Sequence, residues 1–167
     1  AEVLAKMGEC QKAREESKKA LRLYQQAELL APDDVNILRH LDDLYDKFDM
    51  FEELLANLLH LRELTNESDT TGDIGECLCS LGRYDEAIQE FYKLDFEFGN
   101  EILALRELAP TFLRMGDAER SLKNSQRLYE LTEDDFYWED YLCMAAARWA
   151  LNDTQNAIAD FTKACQE

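Results

Sequence analysis

The 167-residue chain has few of the residues that interrupt helices, since it contains only two prolines and six glycines. This scarcity favours long helices over sheets and tight turns. The chain lacks a run of about 18 apolar residues, so the sequence predicts no membrane-spanning helix and no membrane partner. No basic segment followed by an apolar one opens it, and a secretory signal is not expected. With 46% hydrophobic residues, the chain has enough apolar side chains to form a core.

Basic residues are scarce as well. The chain has 18 lysines and arginines against 36 aspartates and glutamates, which gives a formal net charge of −18. No cluster of basic residues is visible, so nucleic acid is not an expected partner, because its phosphates would be repelled. Most of the acidic residues are expected to lie on solvated helix faces, where they favour solubility.

The five cysteines and two histidines suggest no catalytic or metal site. An odd number of cysteines without a secretory signal favours reduced thiols, and hence a cytoplasmic protein. Cys77 and Cys79 lie two residues apart, so on a helix their thiols point about 200° apart and cannot bind one ion. The chain shows no Ser/His/Asp or Cys/His grouping and no phosphate-binding loop. The sequence therefore predicts no enzyme and no cofactor.

One motif recurs along the chain at a nearly constant spacing. In its best-preserved copy, Gly82 ends one helix, Tyr84 opens the next, and Ala87 and Phe91 lie on one face of that helix. Aligned copies begin at Ala1, Val35, Ser68, Ile102 and Trp138, with spacings of 34, 33, 34 and 36 residues. The predicted repeats of a single array are residues 1–34, 35–67, 68–101, 102–137 and 138–167.

Each repeat is numbered here from its first residue. Apolar stripes at positions 4, 7 and 11 and at positions 20, 24 and 27 are predicted to face each other across two helices. Small residues at positions 8 and 20 let these helices approach closely. Position 15, which separates the helices, holds Glu15, Asp49, Gly82, Gly116 and Asn152. Position 24 holds Tyr24, Leu58, Phe91, Ser125 and Phe161.

The pattern predicts a helix for each half of each repeat. The expected helices span residues 2–13, 17–30, 35–47, 51–64, 69–80, 84–96, 101–115, 118–131, 138–150 and 154–165. Because Glu15 does not break helices, the alternative for the first two ranges is one long helix that runs through both. Asp34 is expected to cap the helix that starts at Val35. Pro110 lies inside a helix and is expected to kink it.

On these residues the chain resembles tetratricopeptide repeat (TPR) proteins over essentially its whole length. The first repeat carries Gly8, Ala20, Tyr24, Ala27 and Pro32 at the family's positions, and the third carries Gly75, Gly82, Tyr84, Ala87 and Phe91. The resemblance implies an all-α, right-handed superhelical solenoid of about five helix–turn–helix hairpins. It also implies a non-catalytic module that binds another protein or peptide in a concave groove.

The resemblance places this groove at positions 2, 5, 6, 9, 12 and 13 of the repeats. The candidate partner-binding residues there are Arg39, His40, Asp43, Asp46, Asp69, Asp73, Glu76, Arg106, Glu107, Leu142 and Trp149. Chaperone-binding TPR domains clamp a terminal carboxylate with Lys, Asn and Arg, and the matching positions here hold Ala5, Glu9, His40, Asp69 and Asp73. A basic or amphipathic segment is therefore expected in preference to an acidic C-terminal tail.

A structural role is the alternative that the sequence leaves open. The last predicted helix carries Ile158, Ala159 and Cys165 on its far face, whereas a repeat array needs a polar face at its end. Further repeats in a longer chain, or a second copy that forms a homo-oligomer through this end, are both consistent with that apolar face. In this interpretation the array self-associates or spaces other domains.

Overall fold

The computed structural model describes residues 2–65, 67–132 and 135–166, without the side chains of residues 2–13. The regular structure of these residues is helical, with no strand. The helices are α1 (Glu2–Glu28), α2 (Val35–Lys47), α3 (Phe51–Thr65), α4 (Ser68–Ser80), α5 (Tyr84–Phe96), α6 (Glu101–Arg114), α7 (Ala118–Thr132), α8 (Trp138–Ala150) and α9 (Thr154–Ala164). None of these described helices is long and apolar enough to cross a bilayer.

Position 15 ends a helix in four of the five repeats. The backbone there is left-handed, with φ of 55° at Asp49, 71° at Gly82, 83° at Gly116 and 63° at Asn152. The next amide donates to the carbonyl five residues back, as from Arg83 to Leu78 at 2.8 Å. This is the hydrogen bond of the Schellman motif, which satisfies carbonyls at a helix C-terminus. The predicted role of position 15 is confirmed in repeats two to five.

The first repeat lacks this turn because Glu15 lies within α1, which runs unbroken for 27 residues. Glutamate is a good helix former, and its Cβ disfavours the left-handed conformation. The helices predicted over residues 2–13 and 17–30 are therefore one helix, which is the alternative that the sequence left open.

The chain divides into two compact units, Ala1–Thr70 and Thr71–Glu167. In the first unit α2 pairs with α3 and also contacts α1. Leu38 and Leu41 of α2 are fully buried. Asp34 caps α2 as predicted, because its carboxylate accepts the amides of Asn36 and Ile37 at 2.9 and 3.3 Å. The single array of five repeats stays a prediction.

The second unit shows why position 8 needs a small residue. A Cβ added to Gly75 of α4 would lie 2.2 Å from Cε1 of Phe91, so the ring of Phe91 rests on the α4 backbone. Phe91 is fully buried there. Further along, α6 pairs with α7 and α8 with α9, and α8 also packs on both α6 and α7. The helix α6 continues past Pro110, whose predicted kink stays a prediction.

The stripe prediction is wrong at Phe161. This residue holds position 24 of the fifth repeat and was expected to pack inward, yet its side chain is 54% exposed. Position 8 of that repeat holds Ala145, which carries the Cβ that Gly75 lacks. In addition, no helix among the described residues covers this hairpin as α8 covers α6 and α7. Since Ser125 is buried although Ala109 holds position 8 of its repeat, the lack of a covering helix among these residues is the difference that leaves the ring of Phe161 in solvent.

Candidate functional site

The two basic candidates of the first unit are engaged by neighbouring side chains. Arg39 forms an ion pair with Glu67. The ring of His40 lies 4.9 Å from the ring of Tyr24, between centroids. Position 6 of the second repeat therefore contacts position 24 of the first. The charge of Arg39 is already balanced within the unit.

The acidic candidates of the first unit face solvent. Asp43 and Asp46 are exposed and lie three residues apart, on neighbouring turns of α2. Asp69 is exposed in the first turn of α4, where a negative charge favours the helix dipole. Its carboxylate accepts a hydrogen bond from Ser68 Oγ at 3.2 Å. This unit thus presents carboxylates at three of the predicted binding positions.

In the second unit, three carboxylates lie at predicted binding positions of α4 and α6. Asp73 and Glu76 are exposed on α4, and Glu107 is half-buried on α6. Burial and, second to it, the negative charge of Glu76 raise the pKa of Glu107 to about 7, against the opposing effect of Arg114. This part of the surface therefore loses negative charge as the pH falls below about 7.

Arg106, another candidate, tethers the segment that leads into α8. Its Nε donates to Asp140 Oδ2 at 3.2 Å and its Nη2 to the Asp135 carbonyl at 2.7 Å. The guanidinium carbon also lies 4.4 Å from the centre of the Tyr137 ring, in a cation–π contact. The structure therefore gives Arg106 a contact between two repeats, which its place in the sequence did not indicate.

The two remaining candidates lie in an apolar pocket. Leu142, Ala145 and Trp149 of α8, together with Ile158 and Phe161 of α9, line a pocket of about 460 Å³, and we call these five residues the α8–α9 surface. Trp149 is 64% exposed and Ile158 is 59% exposed. Sequence reasoning selected Leu142 and Trp149 but missed Phe161 as a surface residue, because position 24 was assigned to the core. The apolar far face of the last helix was the available signal.

The cysteines of α4 pack as small core residues. Cys77 and Cys79 are both buried, and Cys79 Sγ lies 3.4 Å from Thr111 Oγ1 of α6. Burial raises the pKa of the Cys79 thiol, which disfavours the nucleophilic thiolate. Across residues 2–65, 67–132 and 135–166, no three His, Cys, Asp or Glu side chains come together as a metal site would need.

Comparison with known proteins identifies the fold. No protein-family model and no curated protein matches the sequence. A tetratricopeptide repeat protein from Parabacteroides merdae ATCC 43184 superposes with a TM-score of 0.78 at 22% identity, over 94% of this chain and 61% of that one. MamA from Desulfovibrio magneticus RS-1 gives 0.76 at 15% identity, over 92% and 86% of the two chains. The chain has the tetratricopeptide repeat fold. The predicted all-α solenoid class is confirmed by these likenesses.

A third structure is similar over most of its length. YrrB, a TPR protein with an unusual peptide-binding site, gives a TM-score of 0.68 at 15% identity, over 93% of this chain and 79% of that one. At these identities the likeness establishes the fold alone.

The TPR repeat relates the α8–α9 surface to a second pocket. A cavity of about 120 Å³ lies where α8 covers α6 and α7. Its walls include Arg106, Ala109 and Ser125, which hold positions 5, 8 and 24 of the fourth repeat. Leu142, Ala145 and Phe161 hold the same positions of the fifth repeat. The larger pocket is thus the counterpart of the smaller one, with no helix over it in the part of the chain that the structure describes.

Proposed function

We propose that the chain is a non-catalytic protein-interaction module. In this proposal the first helices of its repeats bind a basic or amphipathic segment of another protein. The exposed carboxylates at the predicted binding positions carry this proposal. Asp43, Asp46, Asp69, Asp73 and Glu76 are all exposed.

The pairing of the arginines supports the same preference. Arg39 and Arg106, the two arginines among the candidates, are held by Glu67 and by Asp140, respectively. A partner with a negative charge would have to compete with these carboxylates, whereas a positively charged partner meets exposed ones. The peptide-binding site of YrrB supports the use of this fold for peptide recognition.

Binding of a model peptide tests the charge preference. A fluorescent 15-residue helix of lysine and leucine is titrated with the full chain, and a peptide with glutamate in place of lysine serves as its pair. The basic peptide is expected to bind more tightly, and raising the salt from about 50 to 300 mM is expected to weaken it several-fold, because screening shortens the range of charge attraction.

Charge reversal localises that binding. Asp43→Lys and Asp73→Lys are each expected to lower the affinity for the basic peptide about fivefold. Glu63→Lys on α3 and Asp85→Lys on α5 introduce the same charge at exposed positions of the second helices, and they serve as matched controls. Equal losses for all four variants would show a non-specific attraction to the acidic protein, and salt-independent binding would exclude the charge preference.

Self-assembly is the second candidate function, and the exposed α8–α9 surface favours it. Here the array associates with copies of itself, or spaces other domains of a longer protein. Light scattering over a wide range of concentrations separates the two functions. A mass that stays at one chain, 19.4 kDa, would exclude self-association under those conditions.

A further inference from the structure

The cavity of about 120 Å³ between α6 and α8 lies at predicted binding positions of both helices. Arg106 and Pro110 of α6 hold positions 5 and 9, and Glu139 and Cys143 of α8 hold positions 2 and 6. Behind them lies Ser125 of α7, whose Oγ is 3.9 Å from Cys143 Sγ. We call this space the α6–α8 cavity. It is a place where one side chain of a bound segment can enter between two successive first helices.

The inner walls of the α6–α8 cavity are apolar. Ala109 and Leu128 line it and are both buried. An apolar cavity of about 150 Å³ can hold a benzene molecule, so this smaller one has room for the aliphatic stem of a long side chain. Lysine packs in this way, with its stem on apolar atoms and its charged head towards water.

A carboxylate without a partner lies at the open side of the α6–α8 cavity. Glu139 is exposed, and its side chain makes no ion pair or hydrogen bond with any other residue that the structure describes. The other two charged residues of the walls balance each other, since Arg106 Nε donates to Asp140 Oδ2 at 3.2 Å. Glu139 therefore gives the cavity a net negative charge, which favours a cation over an anion.

Pro110 frees a hydrogen-bond acceptor at the same open side. In an α-helix each carbonyl accepts the amide four residues further on, and proline has no N–H to donate. The carbonyl of Arg106 lacks that donor and is directed along α6 towards Pro110, and both residues are half-buried. A carbonyl in such a place favours a ligand that donates hydrogen bonds.

We propose that the α6–α8 cavity binds a lysine side chain of the partner segment. The stem packs on Ala109 and Leu128, and the ammonium turns to the open side, where it donates to the Glu139 carboxylate and the Arg106 carbonyl. An ammonium has three donors and no acceptor, so it can satisfy both groups at once. A carboxylate would be repelled by Glu139, and an apolar side chain would leave the carbonyl without a donor.

This inference rests on the proposed function, because it assigns one side chain of the basic segment to one place among the first helices. The two can fail separately. Glu139→Gln is expected to lower the affinity for the lysine and leucine peptide about threefold. A peptide that binds equally well to this variant would refute the lysine site and leave the charge preference intact. A lysine analogue that enters the cavity while the peptide does not bind would do the reverse.

The lysine analogue is n-butylammonium, which has the stem and head of a lysine side chain. It is titrated into the ¹⁵N-labelled full chain at about 50 mM salt, and the amide shifts are followed by NMR. Saturable shifts at Ser125, Leu128 and Cys143 are expected, with a Kd of about 1–10 mM. The paired controls are 1-butanol, which lacks the charge, and butyrate, which reverses it. Both are expected to bind at least about fivefold more weakly.

Two substitutions each remove one of the acceptors. Glu139→Gln keeps the size of the side chain and is expected to lower the affinity for n-butylammonium about threefold. Glu76→Gln makes the same change at an exposed binding position of α4, outside the cavity, and is the matched control. Pro110→Ala restores the amide for the Arg106 carbonyl, so it is expected to raise Tm and to lower the affinity by a similar factor.

Three results would overturn the proposal. Equal binding of 1-butanol would show an apolar cavity without a preference for a cation. Equal losses with Glu139→Gln and Glu76→Gln would indicate non-specific attraction to the acidic protein. Shifts confined to exposed amides, with none at Ser125 or Leu128, would place the ammonium outside the cavity. Circular dichroism of each variant verifies that its helix content is unchanged.

Discussion

Phe91 and Phe161 occupy the same position of the third and fifth repeats and have opposite environments. Phe91 is fully buried, whereas Phe161 is 54% exposed. Phe91 lies on Gly75, at a place where a Cβ would come within 2.2 Å of the ring. Phe161 is paired instead with Ala145. The same residue type at the same position is core in one hairpin and surface in the other.

Two neighbours of position 24 differ between these hairpins, although Leu58 at position 24 of the second repeat is buried while Asp42 holds position 8. One is the residue at position 8 of the same repeat, which sets how closely the ring approaches the first helix. The other is the covering helix, since Ser125 at position 24 of the fourth repeat is 1% exposed beneath α8. An exposed apolar surface arises in this chain where the apolar residue is present and no covering helix lies among the described residues.

Exchanging the residues at position 24 is the strongest test of that comparison. Ser125→Phe places a large ring where the serine lies 3.9 Å from Cys143 Sγ. It is expected to destabilise the protein by about 3 kcal/mol, because the ring has to enter the cavity of about 120 Å³ between Arg106, Asp140 and Cys143 and displace these side chains. Phe161→Ser is expected to cost less than about 1 kcal/mol, since that ring is largely solvated.

Thermal unfolding of both variants measures the difference. A loss of about 3 kcal/mol corresponds to a fall in Tm of roughly 6–12 °C for a chain of this size. Similar losses in the two variants would mean that α8 does not distinguish the two hairpins in solution.

A change at position 8 tests how the residue there affects the packing of position 24. Gly75→Ala adds the Cβ that Ala145 already has, and it is expected to push Phe91 outward at a net cost of about 2 kcal/mol, although alanine favours helix. Gly72→Ala on the same helix meets no atom within 4 Å and is the matched control. It is expected to stabilise the protein by up to about 1 kcal/mol. Urea unfolding compares the two, and a stabilising Gly75→Ala would contradict the packing argument.

Arg106 and Leu142 allow the same comparison at position 5. Arg106→Met removes the hydrogen bonds to Asp140 and Asp135 and leaves a half-buried carboxylate without its cation, so a loss of about 1–2 kcal/mol is expected. Leu142→Arg on the α8–α9 surface is expected to change stability by less than about 0.5 kcal/mol, because the arginine can reach water. Urea midpoints measure both changes. An equally damaging Leu142→Arg would show that this end of the protein is covered.

The repeat pattern was sufficient to predict most of the fold. From α2 onward, every predicted helix end lies within one residue of the observed one, because position 15 is read directly from the sequence and adopts the left-handed backbone that ends a helix. The close approach at Gly75 was also expected from position 8. These features depend on residues within a single hairpin.

The environment of the candidate site was harder to predict, because it depends on neighbouring repeats. Arg106 was assigned to the groove, yet it contacts Asp140, 34 residues away. Phe161 was assigned to the core, because its position alone does not reveal whether a helix follows on top. A repeat alignment treats equivalent positions alike, whereas burial also depends on the adjacent helix. Candidate surfaces therefore have to be read from contacts between repeats.

Glu107 gives the smallest expected effect and extends the comparison to position 6, where His40 and Cys143 also contact the preceding repeat. Its raised pKa, about 7 against a usual 4.5, means that the folded chain holds a proton here that the unfolded chain has lost. Stability therefore falls as the pH rises from about 4.5 to 7 and, for this group, is constant above that range. Ionisation is expected to cost about 1 kcal/mol, because partial exposure reduces a full shift of about 3 kcal/mol.

Glu107→Gln removes this titration. The variant is expected to gain about 2–4 °C in Tm over the parent on going from pH 5 to pH 8, because only the parent acquires a buried charge. Glu76→Gln is expected to give a smaller gain, since the charge of Glu76 is the second cause of the raised pKa. Glu119→Gln, at an exposed position of α7, is the control and is expected to show no such gain. An equal gain in Tm for Glu119→Gln would assign the pH dependence to the overall negative charge of the protein. The burial of Glu107 at position 6 would then not be its cause.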